Sequence, residues 1–181
     1  MTQKWTGQEL EDAFRLHADT VTAAAESGDW EPFVRLFLPD ATYIDPMVGT
    51  MRGHEQIRPW VTTTLGTFPG SAMRYPEAWH LVDTERGRIV CELRNVLRNP
   101  GDGSSFEENN ITVLDYAGNG RFRCEKDVYD SATMIKLIES WGRRCYELGS
   151  LNEDELAWFA TAYPHILERP SPSLPSNSES A

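Results

Sequence analysis

The sequence predicts an α+β domain, with a curved and mainly antiparallel sheet wrapped around N-terminal helices. Apolar side chains recur at helical spacing over most of residues 8–65. The pattern then changes to four extended segments separated by short turn sequences, as expected for antiparallel neighbours. Helices first and a meander of strands later define the α+β class. A sheet that curves around a helix can leave a cavity, and we expect function there.

Four elements are predicted before the pattern changes. They are a helix over residues 8–27, a short helix between Asp29 and "PDA" at 39–41, the strand "ATYID" at 41–45, and a helix opening at Gly53 or His54. The sequence "SGD" ends the first helix, and Asp29 is the expected N-cap of the second. Pro59 lies inside the third helix and should bend its first turns.

The second half of the chain predicts strands and then helices. The extended segments cover residues 73–82, 87–98, 105–116 and 121–129. Turn sequences such as "NPGDG" and "AGNG" separate them. An amphipathic helix over 131–148 ends at Gly149, and a short helix over 152–163 begins with Asn152 as cap and Glu155 as its capping-box partner. We therefore divide the chain into a domain over 1–149, a helical extension over 150–165 and a disordered tail over 166–181.

Composition excludes several classes of partner. The chain has 181 residues and a net charge of -11, which argues against binding to nucleic acid or to an anionic membrane. Its three widely spaced cysteines suggest neither a disulfide framework nor a zinc site, and the histidines show no ligand spacing. No apolar run is long enough to span a bilayer. We expect a cytoplasmic protein without metal or cofactor.

Polar residues at three places in the chain stand out from this pattern. Asn95 lies on the apolar face of its strand, where it is either a hydrogen-bonded structural amide or a ligand contact. His17 lies on the apolar stripe of the first helix, where a satisfied core histidine is the commoner outcome. In the last strand Glu125, Asp127 and Tyr129 share a face. Neither face of that strand is cleanly apolar, so the residues alone leave its orientation open.

One stretch resembles a known family. "GDW" at 28–30, "PFVRLFLPDATYIDPMVGTMRGHEQIRPW" at 32–60 and "KDVYD" at 126–130 are similar to the nuclear transport factor 2 superfamily, in particular its SnoaL-like branch. This branch includes relatives of ketosteroid isomerase, limonene-epoxide hydrolase and polyketide cyclases. The resemblance covers about residues 8–148 and implies a cone-shaped half-barrel around a deep apolar pocket, usually in a homodimer. It also implies that the Asp127 and Thr112 faces turn inward.

The resemblance to the isomerase implies that Asp45, the aspartate of "DP", is a general base. The isomerase's two oxyanion donors are matched here by Val21 and Thr112, so that oxyanion hole is missing. The epoxide-hydrolase pattern matches Tyr43 and Asp127, with Asp45 in place of an asparagine.

The chain also departs from the epoxide-hydrolase pattern at two positions. Leu93 replaces its arginine, and Asn95 replaces an aspartate that acts as an acid. An asparagine cannot donate a proton as an acid, so the hydrolase's opening of an epoxide lacks its proton donor.

We predict that Asp45 and Asp127 act as a carboxylate pair with Tyr43 beside them. The predicted substrate contacts are Asn95, Asn110, Thr112, His17, Trp60, Trp79 and Tyr129. One carboxylate would take a proton from a small hydrophobic, cyclic carbonyl compound while the other donates one, giving isomerisation or cyclisation. Two carboxylates in one apolar site should titrate as a coupled pair, one with a raised pKa. Activation of a water as in an epoxide hydrolase, and ligand binding without chemistry, are the alternatives.

Overall fold

A computed structural model describes residues 5–168 and shows an open, curved sheet with helices on its concave side and across its mouth. The helices are α1 (Gly7–Ser27), α2 (Glu31–Val34), α3 (Gly53–Thr64), α4 (Ser131–Leu148) and α5 (Glu153–Ala162). The strands are β1 (Phe37–Asp45), β2 (Gly49–Arg52), β3 (Met73–Arg74), β4 (Glu77–Asp83), β5 (Arg88–Leu97), β6 (Glu107–Gly118) and β7 (Arg121–Val128). This is the predicted α+β class.

The sheet has the order β2-β1-β7-β6-β5-β3, with β4 paired to β5. All neighbours are antiparallel except β1 and β7, which run parallel. The register sets the residues of each face in rows, because paired residues share a face. One concave row contains His80, Cys91, Thr112 and Asp127, and the next contains Tyr43, Glu125, Leu114 and Ile89. The concave face therefore carries both apolar core residues and the polar positions singled out in the sequence.

Helix α1 covers this concave face. Thr6 caps its start by accepting a hydrogen bond from the backbone N–H of Glu9, and its buried stripe includes Leu10, Phe14 and Val21. His80 of β4 packs against the Phe14 ring and is hydrogen-bonded to Glu77 and Glu11, which ties the helix to the sheet. Partial burial lowers the pKa of His80, but its two carboxylate partners outweigh this and raise the pKa above its usual value.

Helices α4 and α5 form a second core across the mouth of the sheet. Trp141, Phe159 and Ile166 are fully buried in it. The two helices approach closely at Gly142, where a Cβ atom would lie 2.2 Å from the Phe159 ring. Arg98, which directly follows β5, pairs with the buried carboxylate of Glu155 and fastens α5 to the end of that strand.

The extension also reaches further than expected. Ile166 belongs to a short 3-10 turn, Pro164–Leu167, and so to the ordered extension rather than to the predicted tail. The rest of that tail, from residue 169, lies outside the described residues.

The two predicted boundaries between α2 and β1 are wrong. The short helix α2 ends at Val34, and β1 begins at Phe37 because its backbone pairs with Phe122 of β7, an interaction that local spacing does not reveal. Pro39 is accommodated where the register of β1 and β7 shifts. Strand β2, which follows the turn after Asp45, is not anticipated by the sequence pattern.

Helices α4 and α5 lie where the sequence predicts them, since both carry clear caps. Within residues 5–168, no helix is long and apolar enough to cross a membrane.

Candidate active site

A cavity of about 350 Å³ lies between the concave face of the sheet and helices α1, α3, α4 and α5. Its volume falls in the range of small-molecule sites. Most of its lining is apolar and aromatic, and the polar groups come mainly from β1, β5, β6 and β7. Among the described lining residues there is no lysine or arginine, whereas Asp45, Glu125 and Asp127 are acidic. The cavity thus has one polar, acidic wall and an otherwise apolar lining.

Asp127 is a buried carboxyl of this wall that accepts three hydrogen bonds from side chains. Its Oδ1 accepts hydrogen bonds from the Thr112 hydroxyl at 2.6 Å and from the Asn110 amide at 2.9 Å. Its Oδ2 accepts one from the Tyr43 hydroxyl at 2.6 Å. Burial, reinforced by the charge of Glu125, raises the pKa of Asp127 from 3.8 to about 6, although all three donors lower it. A carboxyl with a pKa near neutrality is suited to take up and release protons.

Tyr43 joins Asp127 to a second buried carboxyl. Its hydroxyl oxygen lies 3.1 Å from Glu125 Oε1, and the other oxygen of Glu125 lies 3.1 Å from His17 Nε2. Burial, followed by the two nearby carboxyls, raises the pKa of Tyr43 well above its usual range. The carboxyl whose charge raises the pKa of Asp127 is Glu125, where the sequence predicted Asp45 as its partner.

Asp45 lies on the same cavity and organises the turn between β1 and β2. Its Oδ1 accepts the backbone N–H groups of Met47 and Val48, and its Oδ2 accepts the Tyr129 hydroxyl at 2.9 Å. Gly49 completes the turn at φ +97°, a conformation that side-chain-bearing residues rarely adopt. The run "DPMVG" thus has a structural explanation that does not require Asp45 to be a base.

The other predicted contacts divide into residues on the cavity and one that lies elsewhere. Asn95, Asn110, Thr112, His17, Trp60 and Tyr129 all line the cavity. Asn95 donates to the backbone carbonyl of Glu108 at 3.3 Å, so it is at least partly a structural amide.

Trp79 is the exception, and its prediction as a substrate contact is wrong. An irregularity between Glu77 and Trp79 shifts the register of β4, so Trp79 pairs with Glu92 on the convex face. There its indole N–H donates to the Glu92 carboxylate at 3.0 Å, and the side chain is exposed. The shift cannot be inferred from residue spacing, because strand parity assumes an uninterrupted strand.

Sequence reasoning missed two contributions to the site. Glu125 alternates with Lys126 on a strand with no clean apolar face, so the residues alone left the orientation of its side chain open. Glu125 lies two positions before Asp127 on the same strand, so both side chains share a face, and this alternation was the signal in the sequence that pointed to it. Helices α4 and α5 and the turn after them add Ile138, Trp158 and Tyr163 to the lining, which only their helical apolar stripes could have suggested.

A cone-like sheet around a partly polar cavity defines a domain of the nuclear transport factor 2-like kind. Within that class the chain belongs to the SnoaL-like domain family, whose family model matches residues 18–123. No protein with a curated function matches the chain by sequence.

Three solved structures illustrate the similarity of fold. An NTF2-like protein from Anabaena variabilis is 16% identical, covers 72% of this chain and 96% of its own, and has a TM-score of 0.57. A ketosteroid isomerase-like protein from Catenulispora acidiphila, solved in complex with trimethylamine, is 21% identical, with coverages of 73% and 93% and a TM-score of 0.54. An LEH-like epoxide hydrolase from M. tuberculosis is 15% identical, with coverages of 70% and 89% and a TM-score of 0.53. At these identities the likeness concerns the fold.

Proposed function

We propose that the protein binds a small, hydrophobic, cyclic carbonyl compound in this cavity and moves a proton on it, with Asp127 as the general base. The observation that carries this proposal is the state of Asp127. It is buried on the cavity wall, oriented by three donors, and has a pKa raised to about 6. At neutral pH most of it is ionised and ready to accept a proton, yet it remains much more basic than an exposed aspartate.

The geometry leaves room for this role. A carboxylate has two oxygens with about four acceptor positions, and three are used by Thr112, Asn110 and Tyr43. The remaining acceptor position belongs to Oδ2, on a residue that lines the cavity. A C–H group next to a carbonyl could deliver its proton there. The resulting enol or enolate would return the proton at another carbon in an isomerisation, or react onward in a cyclisation.

The developing charge on the carbonyl oxygen needs a hydrogen-bond donor. Asn95 uses one amide proton on Glu108 and has a second. Trp60 also lines the cavity, and its buried indole N–H has no hydrogen-bond partner in the described part of the chain. We propose these two as the donors that take the place of the oxyanion hole missing at Val21 and Thr112. In this proposal Asp45, held in the β1–β2 turn by the backbone N–H groups of Met47 and Val48, shapes the site, and Asp127 is the base.

Activation of a water is the second candidate. The same unused acceptor position on Asp127 could orient a water for attack on an epoxide. The pairing of Tyr43 with Asp127 at 2.6 Å favours it, since both match the epoxide-hydrolase pattern. Leu93 and Asn95 weigh against it, because they supply neither a cation nor an acid for the leaving oxygen.

Deuterium exchange tests the base directly. The protein is incubated in D₂O with a panel of cyclic ketones, including tetralones and steroid ketones, and deuterium entering the α position is followed by NMR. We expect exchange above the buffer rate with the wild type and no enhancement with Asp127→Asn. Asp115→Asn, which changes a carboxylate paired with Arg88 and away from the cavity, is the matched control and should exchange like the wild type.

Equal exchange by Asp127→Asn and the wild type would contradict the role of Asp127. Absence of enhanced exchange with every ketone would favour a binding module without chemistry. The second candidate function is tested in a separate incubation with cyclohexene oxide in ¹⁸O-labelled water. Labelled diol formed by the wild type, and not by Asp127→Asn, would favour hydrolysis over isomerisation or cyclisation.

A further inference from the structure

The Tyr43 hydroxyl lies between two carboxyl groups but carries a single proton. Asp127 Oδ2 is 2.6 Å away and Glu125 Oε1 is 3.1 Å away, and both carboxyl residues are buried. The hydroxyl can donate to only one of them at a time. The shorter distance shows that it donates to Asp127. A turn about the C–O bond of Tyr43 would redirect the proton to Glu125 and leave Asp127 with two donors instead of three.

Glu125 is itself held from the opposite side. His17 of α1, only 1% exposed, places Nε2 at 3.1 Å from Glu125 Oε2. The other ring nitrogen, Nδ1, is buried without a hydrogen-bond partner among residues 5–168. Because an unpaired buried N–H is costly, the tautomer with its proton on Nε2 fits best, and His17 then donates to Glu125. The rings of Phe33 and Phe122 pack against the imidazole and hold its orientation.

We propose that Glu125, held in place by His17, is a positioning residue that tunes Asp127 by competing with it for the single proton of Tyr43. This inference rests on the proposed role of Asp127 as a base. Hydrogen bonds to an ionised carboxylate stabilise that form and weaken it as a base. Competition from Glu125 loosens the Tyr43 bond, and its negative charge repels that of Asp127, so both effects make Asp127 a stronger base. His17 limits the competition, because a Glu125 that already accepts a hydrogen bond attracts the Tyr43 proton less.

The other ionisable groups around the pair have defined positions. Cys91 of β5 lies near both carboxyls, and burial followed by the charge of Glu125 raises the pKa of its thiol. Tyr75 and Tyr129 lie on the Asp127 side, where burial is the first cause of their raised pKa values. Each of the three is uncharged in its protonated form. Within the described lining, His17 is the one group that can carry a positive charge next to the two carboxyls. The tuning is therefore assigned to four residues: His17, Glu125, Tyr43 and Asp127.

The titration of Asp127 tests this without any substrate. Asp127 is followed by the NMR shift of its ¹³C-labelled carboxyl carbon, identified by its loss in Asp127→Asn, between pH 4 and 8. Glu125→Gln should lower the titration midpoint by about one pH unit, since it removes a like charge and leaves a neutral amide oxygen as a weaker competing acceptor. His17→Gln should raise the midpoint. The double variant should match Glu125→Gln, because His17 acts only through Glu125.

An unchanged midpoint in Glu125→Gln would overturn the proposal, as would a His17→Gln effect that persists when Glu125 is already replaced. If His17→Gln fails to fold, Tyr43→Phe gives a second test. Without the shared hydroxyl, Glu125→Gln should move the midpoint clearly less than it does in the wild type, and an equal shift would contradict competition through Tyr43. Deuterium exchange separates this inference from the proposed function. Midpoints that move as expected, with normal exchange by Asp127→Asn, would refute the base and leave the coupling intact.

Discussion

Replacing Asp127 with asparagine should stabilise the folded protein above pH 7, although it should also abolish proton transfer. The pKa of Asp127 rises from 3.8 to about 6 on folding, first because of burial and then because of Glu125. At 1.36 kcal/mol per pKa unit, ionised Asp127 costs the folded state about 3 kcal/mol. Asparagine has nearly the same shape and no charge. The asparagine side-chain oxygen can still accept hydrogen bonds from Thr112 and Asn110. The weakening of these hydrogen bonds should therefore offset only about 1 kcal/mol of the stabilisation gained by removing the charge.

The sign follows from the proton balance. A carboxyl whose pKa is raised by folding binds its proton more tightly in the folded state than in the unfolded one. Its contribution to stability is complete below pH 3.8 and is lost as the pH rises through about 6. The free energy of unfolding of the wild type should therefore fall relative to that of Asp127→Asn between these limits. The variant should be about 2 kcal/mol more stable at pH 8 and slightly less stable at pH 4.

Urea unfolding at half-unit steps from pH 4 to 8 measures this difference. Asp115→Asn is the control, because it keeps the Asp127 carboxyl and should keep the fall in stability that Asp127 causes. A difference between wild type and Asp127→Asn that does not change with pH would refute the reasoning. It would mean that Asp127 titrates alike in the folded and unfolded states, and so is not tuned by the cavity.

Three further predictions concern the scaffold. The pKa of His80 is raised by its two carboxylate partners, so His80 should stabilise the protein below about pH 6.5 and lose this effect as the pH rises through its pKa in the folded state. The loss of Tm caused by His80→Gln should therefore be larger at pH 5.5 than at pH 9. Gly142→Ala should cost about 1–3 kcal/mol in urea unfolding, because its Cβ would meet the Phe159 ring at 2.2 Å, whereas Gly7→Ala meets open space and should show no such steric cost. The homodimer expected from the family resemblance should use the convex face of the sheet, where Leu81 is 67% exposed beside other apolar side chains. Leu81→Arg should therefore convert a dimer to a monomer in light scattering, and a monomeric wild type would contradict the expectation.

The sequence was informative about elements with local signals. The apolar stripe of α4 and the capping box of α5 define those helices by nearby residues alone, and both lie at or within one residue of the predicted bounds. The start of β1 and the whole of β2 depend on pairing with other strands, so local spacing misplaced the first and missed the second. The same distinction explains Trp79, whose face is set by a register shift.

The candidate site follows a similar rule. Strand parity together with the family resemblance identified Tyr43, Thr112 and Asp127 as cavity residues, and the structure places all three there. Glu125 was missed because its partner, His17, is 108 positions away in the sequence. Asp45 does line the cavity, but its bonds within the turn could not be separated from a catalytic role by residue type alone. Long-range hydrogen bonds, rather than motifs, decide which carboxyls are coupled.

The parallel pairing of β1 with β7 brings together residues that are far apart in the sequence. Tyr43 lies on the first strand to be synthesised and Asp127 on the last, 84 positions later. Contacts between such distant segments form late and slowly in folding, because the entropy cost of closing a long loop precedes the stabilisation that the contacts provide. A nascent or truncated chain that lacks β7 therefore lacks Glu125 and Asp127, and with Asp127 the proposed base. Any activity that this protein shows should report on molecules whose sheet is complete.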